Sequence, residues 1–204
     1  METLSNIETF PTSDHTLYRR CIDALGRNDL DEAIGIGTKL VDKNFNHANT
    51  TLGAAYEKRG DISGSADDYE KALFYYRRAV ETVGATEAWL ALARLFYLGK
   101  GVQRNEKIAF DYYLRIVEDV DNPIAHLMLG KMYLDGEGVK TDIAKAKSHL
   151  VHPKSQGYVF AYTYLGTALI RENQKLLGAA YRIQAGFMAT LSSLGLRSYQ
   201  LRRI

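Results

Sequence analysis

Apolar residues recur at helical spacing along most of the chain. In Ala88-x-x-x-Leu92-Ala93-x-x-Phe96 the small, branched and aromatic side chains fall at i, i+4, i+5 and i+8, one narrow face of a helix. The face ends in Gly99-x-Gly101-Val102, and all of it returns as Ala125-x-x-x-Leu129-Gly130-x-x-Tyr133 with Gly136-x-Gly138-Val139, each position shifted by 37. A further copy holds Ala161 and Leu165-Gly166, shifted by 36, and an earlier one holds Leu52-Gly53 and Tyr56, 40 before the first. A second helical pattern follows each block: Lys71-Ala72 to Ala79, Ile108-Ala109 to Tyr113, and Lys145-Ala146 to Leu150. Ala72, Ala109 and Ala146 are again 37 apart.

A fixed period of this length predicts one helix pair per repeat, because a single pair buries its apolar face only against its neighbours. The pattern gives about five pairs, at roughly 14–43, 45–82, 86–119, 122–151 and 158–190. The expected fold class is all-α, a right-handed α-solenoid of stacked antiparallel helix pairs. It would occupy residues 13–190, between a flexible N-terminal arm at 1–12 and a basic C-terminal tail or closing helix at 191–204. The paired glycines fit helix C-termini, where positive φ costs glycine little. Asn28-Asp29, Asn122-Pro123 and Thr141 are the expected helix starts.

These blocks resemble the Sel-one-like repeat family, a relative of the tetratricopeptide repeats. Ala125, Leu129-Gly130, Tyr133, Gly136-x-Gly138-Val139, Asp142 and Lys145-Ala146 carry the closest match. Residues 88–113 follow with Ala93 for glycine, Phe96 for tyrosine and Asn105 for aspartate. The likeness covers about 45–190. Leu52 to Asp68 and Ala161 to Arg171 lack the glycine turn, and His149 replaces an aromatic. The resemblance implies a non-enzymatic, bacterial protein–protein scaffold or adaptor, with exopolysaccharide production, secretion or signalling as settings. It also implies ligand contacts on a concave face lined by the first helix of each pair. Carried over by position, these are Glu87, Leu90, Arg94 and Tyr97; Leu127, Lys131, Leu134 and Asp135; and Thr163, Thr167 and Arg171. Arg94 and Lys131 hold equivalent positions. With Arg171 they would form a cationic column for an acidic peptide or a terminal carboxylate.

Composition agrees with consecutive helices. Only 3 of 204 residues are proline, and the 14 tyrosines fall largely on the periodic stripe. The single cysteine, Cys21, excludes a disulfide scaffold and reads as a buried small residue. A net charge of +2 disfavours a nucleic-acid binder. That charge is unevenly spread: residues 173–204 carry five basic and no acidic groups, leaving −3 elsewhere. A membrane-surface alternative follows, with Phe187, Met188, Leu191, Leu194 and Leu196 beside Arg197, Arg202 and Arg203 on anionic lipid. The start lacks a cationic and apolar leader, so a cytoplasmic location is expected. No pattern marks chemistry. Gly99-Lys100-Gly101 lacks the spacing of a phosphate loop. His149 and His152 read as helix-end residues, two histidines being too few for zinc. The carboxylates at Asp67-Asp68, Glu118-Asp119 and Asp121 read as caps and solvated faces. No catalytic residue, metal or cofactor is expected.

Overall fold

The computed structural model describes residues 12–152 and 158–193, which form ten helices. They run as pairs: α1 (Thr12–Gly26) with α2 (Leu30–Asp42), α3 (Ala48–Ser63) with α4 (Ala66–Val83), and α5 (Thr86–Leu98) with α6 (Glu106–Asp119). Then come α7 (Pro123–Asp135) with α8 (Ile143–Leu150), and α9 (Val159–Arg171) with α10 (Lys175–Ser193). No strand occurs among the described residues. The fold is thus all-α, of the α-solenoid class built from consecutive antiparallel helix pairs. Thr12 already opens α1, while residues 1–11 of the expected arm and 194–204 of the expected tail, with Leu194, Leu196, Arg197, Arg202 and Arg203, lie outside the described residues. Two compact units share the chain. One holds the described residues through Leu92 with Lys100–Gln103; the other holds Ala93–Gly99 and the described residues from Arg104 onward.

The second helices start where the sequence places short polar side chains. Asp29, Ser65, Asn105 and Asp142 each accept a hydrogen bond from the backbone N–H three residues on, satisfying one of the open donors of the first turn. The cap of α8 is therefore Asp142 and not Thr141. Thr141 instead places its hydroxyl against Gly136, inside the turn. Asn122 caps α7 through Ile124 and Ala125, with Pro123 in the first turn as expected.

The periodic stripe is the core. Ala88, Ala125 and Ala161, Leu52, Leu92, Leu129 and Leu165, and Ala72, Ala109 and Ala146 are all buried. The small residue after each leucine admits the partner helix. A Cβ on Gly53 would meet the Tyr76 ring at 2.8 Å, and one on Gly130 would meet Leu150 at 2.6 Å. In the last pair the approach is backbone to backbone: a Cβ on Gly166 would lie 2.7 Å from the Gly178 carbonyl oxygen. Aromatic contacts also repeat. Tyr56 stacks on Tyr75 at 5.6 Å, Phe96 meets Tyr112 at 5.8 Å, and Tyr133 stacks on His149 at 5.7 Å. His149 thus fills the aromatic site of its repeat.

The second glycine of each Gly-x-Gly turn presses on an earlier second helix. Gly101 (φ 67°) leaves no room for a Cβ beside Tyr69 and Glu70 of α4. Gly138 (φ 68°), 37 residues on, lies against Glu106 and Lys107 of α6 in the same way. Both positive φ and absent space demand glycine there. Two buried carboxylates are paired: Arg59 grips Asp68 through two hydrogen bonds of 3.0 and 2.6 Å, and Tyr76 donates to Glu57 at 2.9 Å. The hydrogen bond to Arg59 holds the Asp68 carboxyl below its ordinary range.

Gly138→Ala is expected to cost about 3 kcal/mol or more in urea unfolding, from left-handed strain plus overpacking. Gly35, inside α2 with nothing within 4 Å of a Cβ, is the opposite case. Gly35→Ala is expected to gain about 0.5–1 kcal/mol in the same measurement.

Candidate functional site

Three successive first helices, α5, α7 and α9, join their polar positions into a row. Lys131 donates to the Tyr97 hydroxyl at 2.7 Å and pairs with Asp135 at 3.4 Å, one helical turn on. Asp135 in turn pairs with Arg171 of α9 at 3.1 Å, and Arg171 also donates to the Leu134 carbonyl at the end of α7. That places a cation on the negative end of a helix. Thr167 lies one turn before Arg171, its hydroxyl donating to the Thr163 carbonyl at 3.0 Å. The structure therefore brings together Tyr97, Lys131, Asp135 and Arg171.

One member escaped the sequence reading. Glu137, between the two glycines of its turn, accepts from Lys131 at 2.5 Å and from Tyr97 at 2.8 Å. Its signal was the turn itself, since the residue between two positive-φ glycines has a fixed direction. Lys100, at the equivalent position of the preceding repeat, likewise reaches Asp61 at 2.5 Å, where Tyr69 also donates at 2.6 Å. Burial acts to lower the Lys131 pKa, but the hydrogen bonds with Glu137 and Tyr97 prevail and hold it above its ordinary value. Burial also raises the Tyr97 hydroxyl. Lys131 is accordingly a fixed, neutralised cation and not an open one.

The other expected contact residues divide. Leu127 and Leu134 are 0% and 1% exposed. Leu127 belongs to a core cluster with Leu150, Tyr158, Ala161 and Leu165, so the expectation that the two leucines face a partner is corrected. They lie seven residues apart on the α7 face that packs inward. Arg94 is half-buried, and its charge acts on Tyr113. Leu90 is half-buried. Glu87 is exposed and edges a cleft of about 300 Å³ lined by Tyr18, His47, Thr50 and Thr51. In α10, Phe187 points outward but Met188 packs against Val159 and Ala185.

A second cluster assembles where the sequence showed only a histidine pair. Asp121 lies in the turn before α7, His126 in the first turn of α7, His149 in the last turn of α8 and His152 just past it. The Asp121 Oδ1 atom is 3.3 Å from His126 Nε2 and 3.1 Å from His152 Nε2. The His126 and His152 rings stack at 3.9 Å, and His126 Nδ1 meets His149 Nδ1 at 2.9 Å. Burial, then the neighbouring His126, His152 and Lys145, push His149 down to about 4. Cys21 is buried and hydrogen-bonded to the Ala33 carbonyl, and burial pushes its thiol up to about 11, away from nucleophilic use.

His149 makes acid sensitivity testable. A base whose pKa falls on folding binds its proton more tightly in the unfolded chain. Its contribution is complete above about pH 6.5 and is lost as pH falls toward about 4. In a chelating buffer, His149→Phe keeps the aromatic contact and is expected to flatten the decline of unfolding free energy across that window.

The Sel1 repeat model matches residues 46–81, 87–118 and 123–150. No match arises among curated proteins. A Sel1 repeat protein from Oxalobacter formigenes is similar in structure, with TM-score 0.58, 26% identity, and 75% of this chain covering 64% of that one. The c5321 protein, a protective antigen of uropathogenic Escherichia coli with an SLR fold, gives 0.59 at 23% identity, over 85% of this chain and 38% of that one. The MamA protein shares the fold at 0.61 and 18% identity, over 94% and 97% of the two chains. The chain thus spans less than two thirds of the first two. Sel1 repeats generally mediate protein–protein interaction and are typically non-enzymatic. With three consecutive repeats matched between residues 46 and 150, the chain belongs to the Sel1 repeat family.

Proposed function

We propose that the protein is a non-enzymatic interaction module that holds a segment of a partner protein along the polar row of its first helices. The observation that carries this reading is the chain of contacts Tyr97–Lys131–Asp135–Arg171, which links three repeats into one pre-ordered strip. Fixed donors and acceptors lose little entropy when a peptide replaces water on them. Two cations, Lys131 and Arg171, are balanced here by Asp135 and Glu137. The strip therefore suits a partner of mixed polarity read by hydrogen bonds, in place of the acidic peptide that the cation column suggested. A bacterial cytoplasmic setting in signalling, secretion or exopolysaccharide production belongs to the same proposal.

Asp135 and Arg171 are exposed, so removing both is expected to change stability by no more than about 1 kcal/mol. Asp135→Ala with Arg171→Ala should reduce recovery of the native partner at least tenfold in affinity purification with quantitative mass spectrometry. Unchanged recovery by a folded double variant would exclude the row as the contact surface.

A second reading rests on α10. Leu176, Ile183 and Phe187 are 91%, 73% and 63% exposed, and their spacing places them on one face. Residues 173–204 add only basic charge. No described helix is long and apolar enough to cross a membrane. We infer, as the alternative, peripheral docking of this face on anionic lipid. Flotation with phosphatidylserine vesicles is expected to be lost on replacing all three residues by serine; equal flotation of the variant, or none by either protein, rejects this alternative.

A further inference from the structure

We propose that Asp121, His126 and His152 form a binding site for one divalent first-row transition metal, with zinc the favoured ion. These residues come from the α6–α7 turn, the start of α7 and the end of α8. Folding brings one ligand atom of each within 4.8 Å of the others. Two imidazoles and a carboxylate suit zinc, nickel, cobalt or copper, and poorly suit calcium or magnesium, which take oxygen.

The spacing fits. Metal–ligand bonds of about 2.0–2.1 Å in a tetrahedron put donors about 3.3–3.4 Å apart. The Asp121 oxygen already lies 3.3 and 3.1 Å from the two Nε2 atoms. One carboxylate oxygen thus faces two imidazole nitrogens. The two rings stack 8° from parallel, and both Nε2 atoms face the same Asp121 oxygen. Coordination requires one ring to turn. His152 lies two residues past the end of α8, and the terminal torsion of histidine is broad, so the turn is cheap.

His149 supplies the support that a ligating histidine needs. When His126 binds through Nε2, its proton sits on Nδ1 and requires an acceptor. His149 Nδ1 lies there at 2.9 Å, itself held by the stack on Tyr133. His149 is thus a positioning residue. Asp121 is exposed, and His126 and His152 are partly buried. Bound metal would fasten the α6–α7 turn to the end of α8.

The test uses untagged full-length protein stripped with chelator and titrated with zinc chloride by calorimetry, and with Co²⁺ by visible absorption. Saturation at one equivalent is expected, with micromolar or tighter affinity, the absorption of low-coordinate Co²⁺, and a raised melting temperature. Asp121→Asn, His126→Ala and His152→Ala should each weaken zinc at least tenfold, and His149→Phe about tenfold. His47→Ala, in the other unit, should bind as the parent does. Asp121→Asn changes an exposed turn residue, so its fold, checked by circular dichroism, is retained. Weak, unsaturated uptake, or equal binding by the parent and Asp121→Asn, overturns the site.

Discussion

Two backbone segments that touch without space for a Cβ set the geometry of this protein. Gly101 lies on Tyr69 and Glu70, and Gly138 lies on Glu106 and Lys107. Each joins the turn after a first helix to the start of an earlier second helix. The contact admits one residue type for two reasons at once, positive φ and absent volume. It therefore fixes the turn, and the turn fixes what stands between its glycines. At Glu137 that residue is a carboxylate locked onto Lys131 and Tyr97; at Lys100 it is a cation locked onto Asp61. The same turn thus fits each repeat together and sets the charge beside the first helix.

Small residues elsewhere extend this logic inside the pairs. Gly53, Gly130 and Gly166 admit a ring, a leucine and a carbonyl respectively. The aromatic contacts at Tyr56–Tyr75, Phe96–Tyr112 and Tyr133–His149 brace each pair at equivalent levels. At the third level an imidazole replaces the aromatic ring. That substitution keeps the stacking contact and adds a ring nitrogen, which faces His126. A position that serves packing in two repeats serves polar chemistry as well in the third.

Both candidate surfaces arise from this order. The row Tyr97–Lys131–Asp135–Arg171 exists because first-helix positions recur with the repeat and so stand beside one another in α5, α7 and α9. The Asp121–His126–His152 cluster exists because the α6–α7 turn and the end of α8 meet at one end of a pair. Neither depends on a deep cavity. Each is a set of side chains held by rigid helices, as suits recognition of a partner segment or of a single ion.

The sequence by itself determined the helix pairs, the stripe of alanine, leucine and aromatic residues, the glycine turns and the caps at Asp29 and Asn122. All of these are local: helical period, positive φ and the first-turn donors act within a few residues, so they are written in contiguous pattern. The family was legible for the same reason, since its motif is that pattern repeated. Tertiary structure alone decided which polar groups meet. Leu127 and Leu134 occupied positions a partner was expected to touch, yet both are buried, Leu127 in a cluster with Leu150 and residues of the next pair. Lys131 looked like an open cation until Glu137, held between two glycines, neutralised it. His149 and His152 looked like an isolated pair until Asp121 and His126, more than 20 residues earlier, closed on them. Such contacts depend on distance in space, which a one-dimensional pattern of apolar positions does not encode.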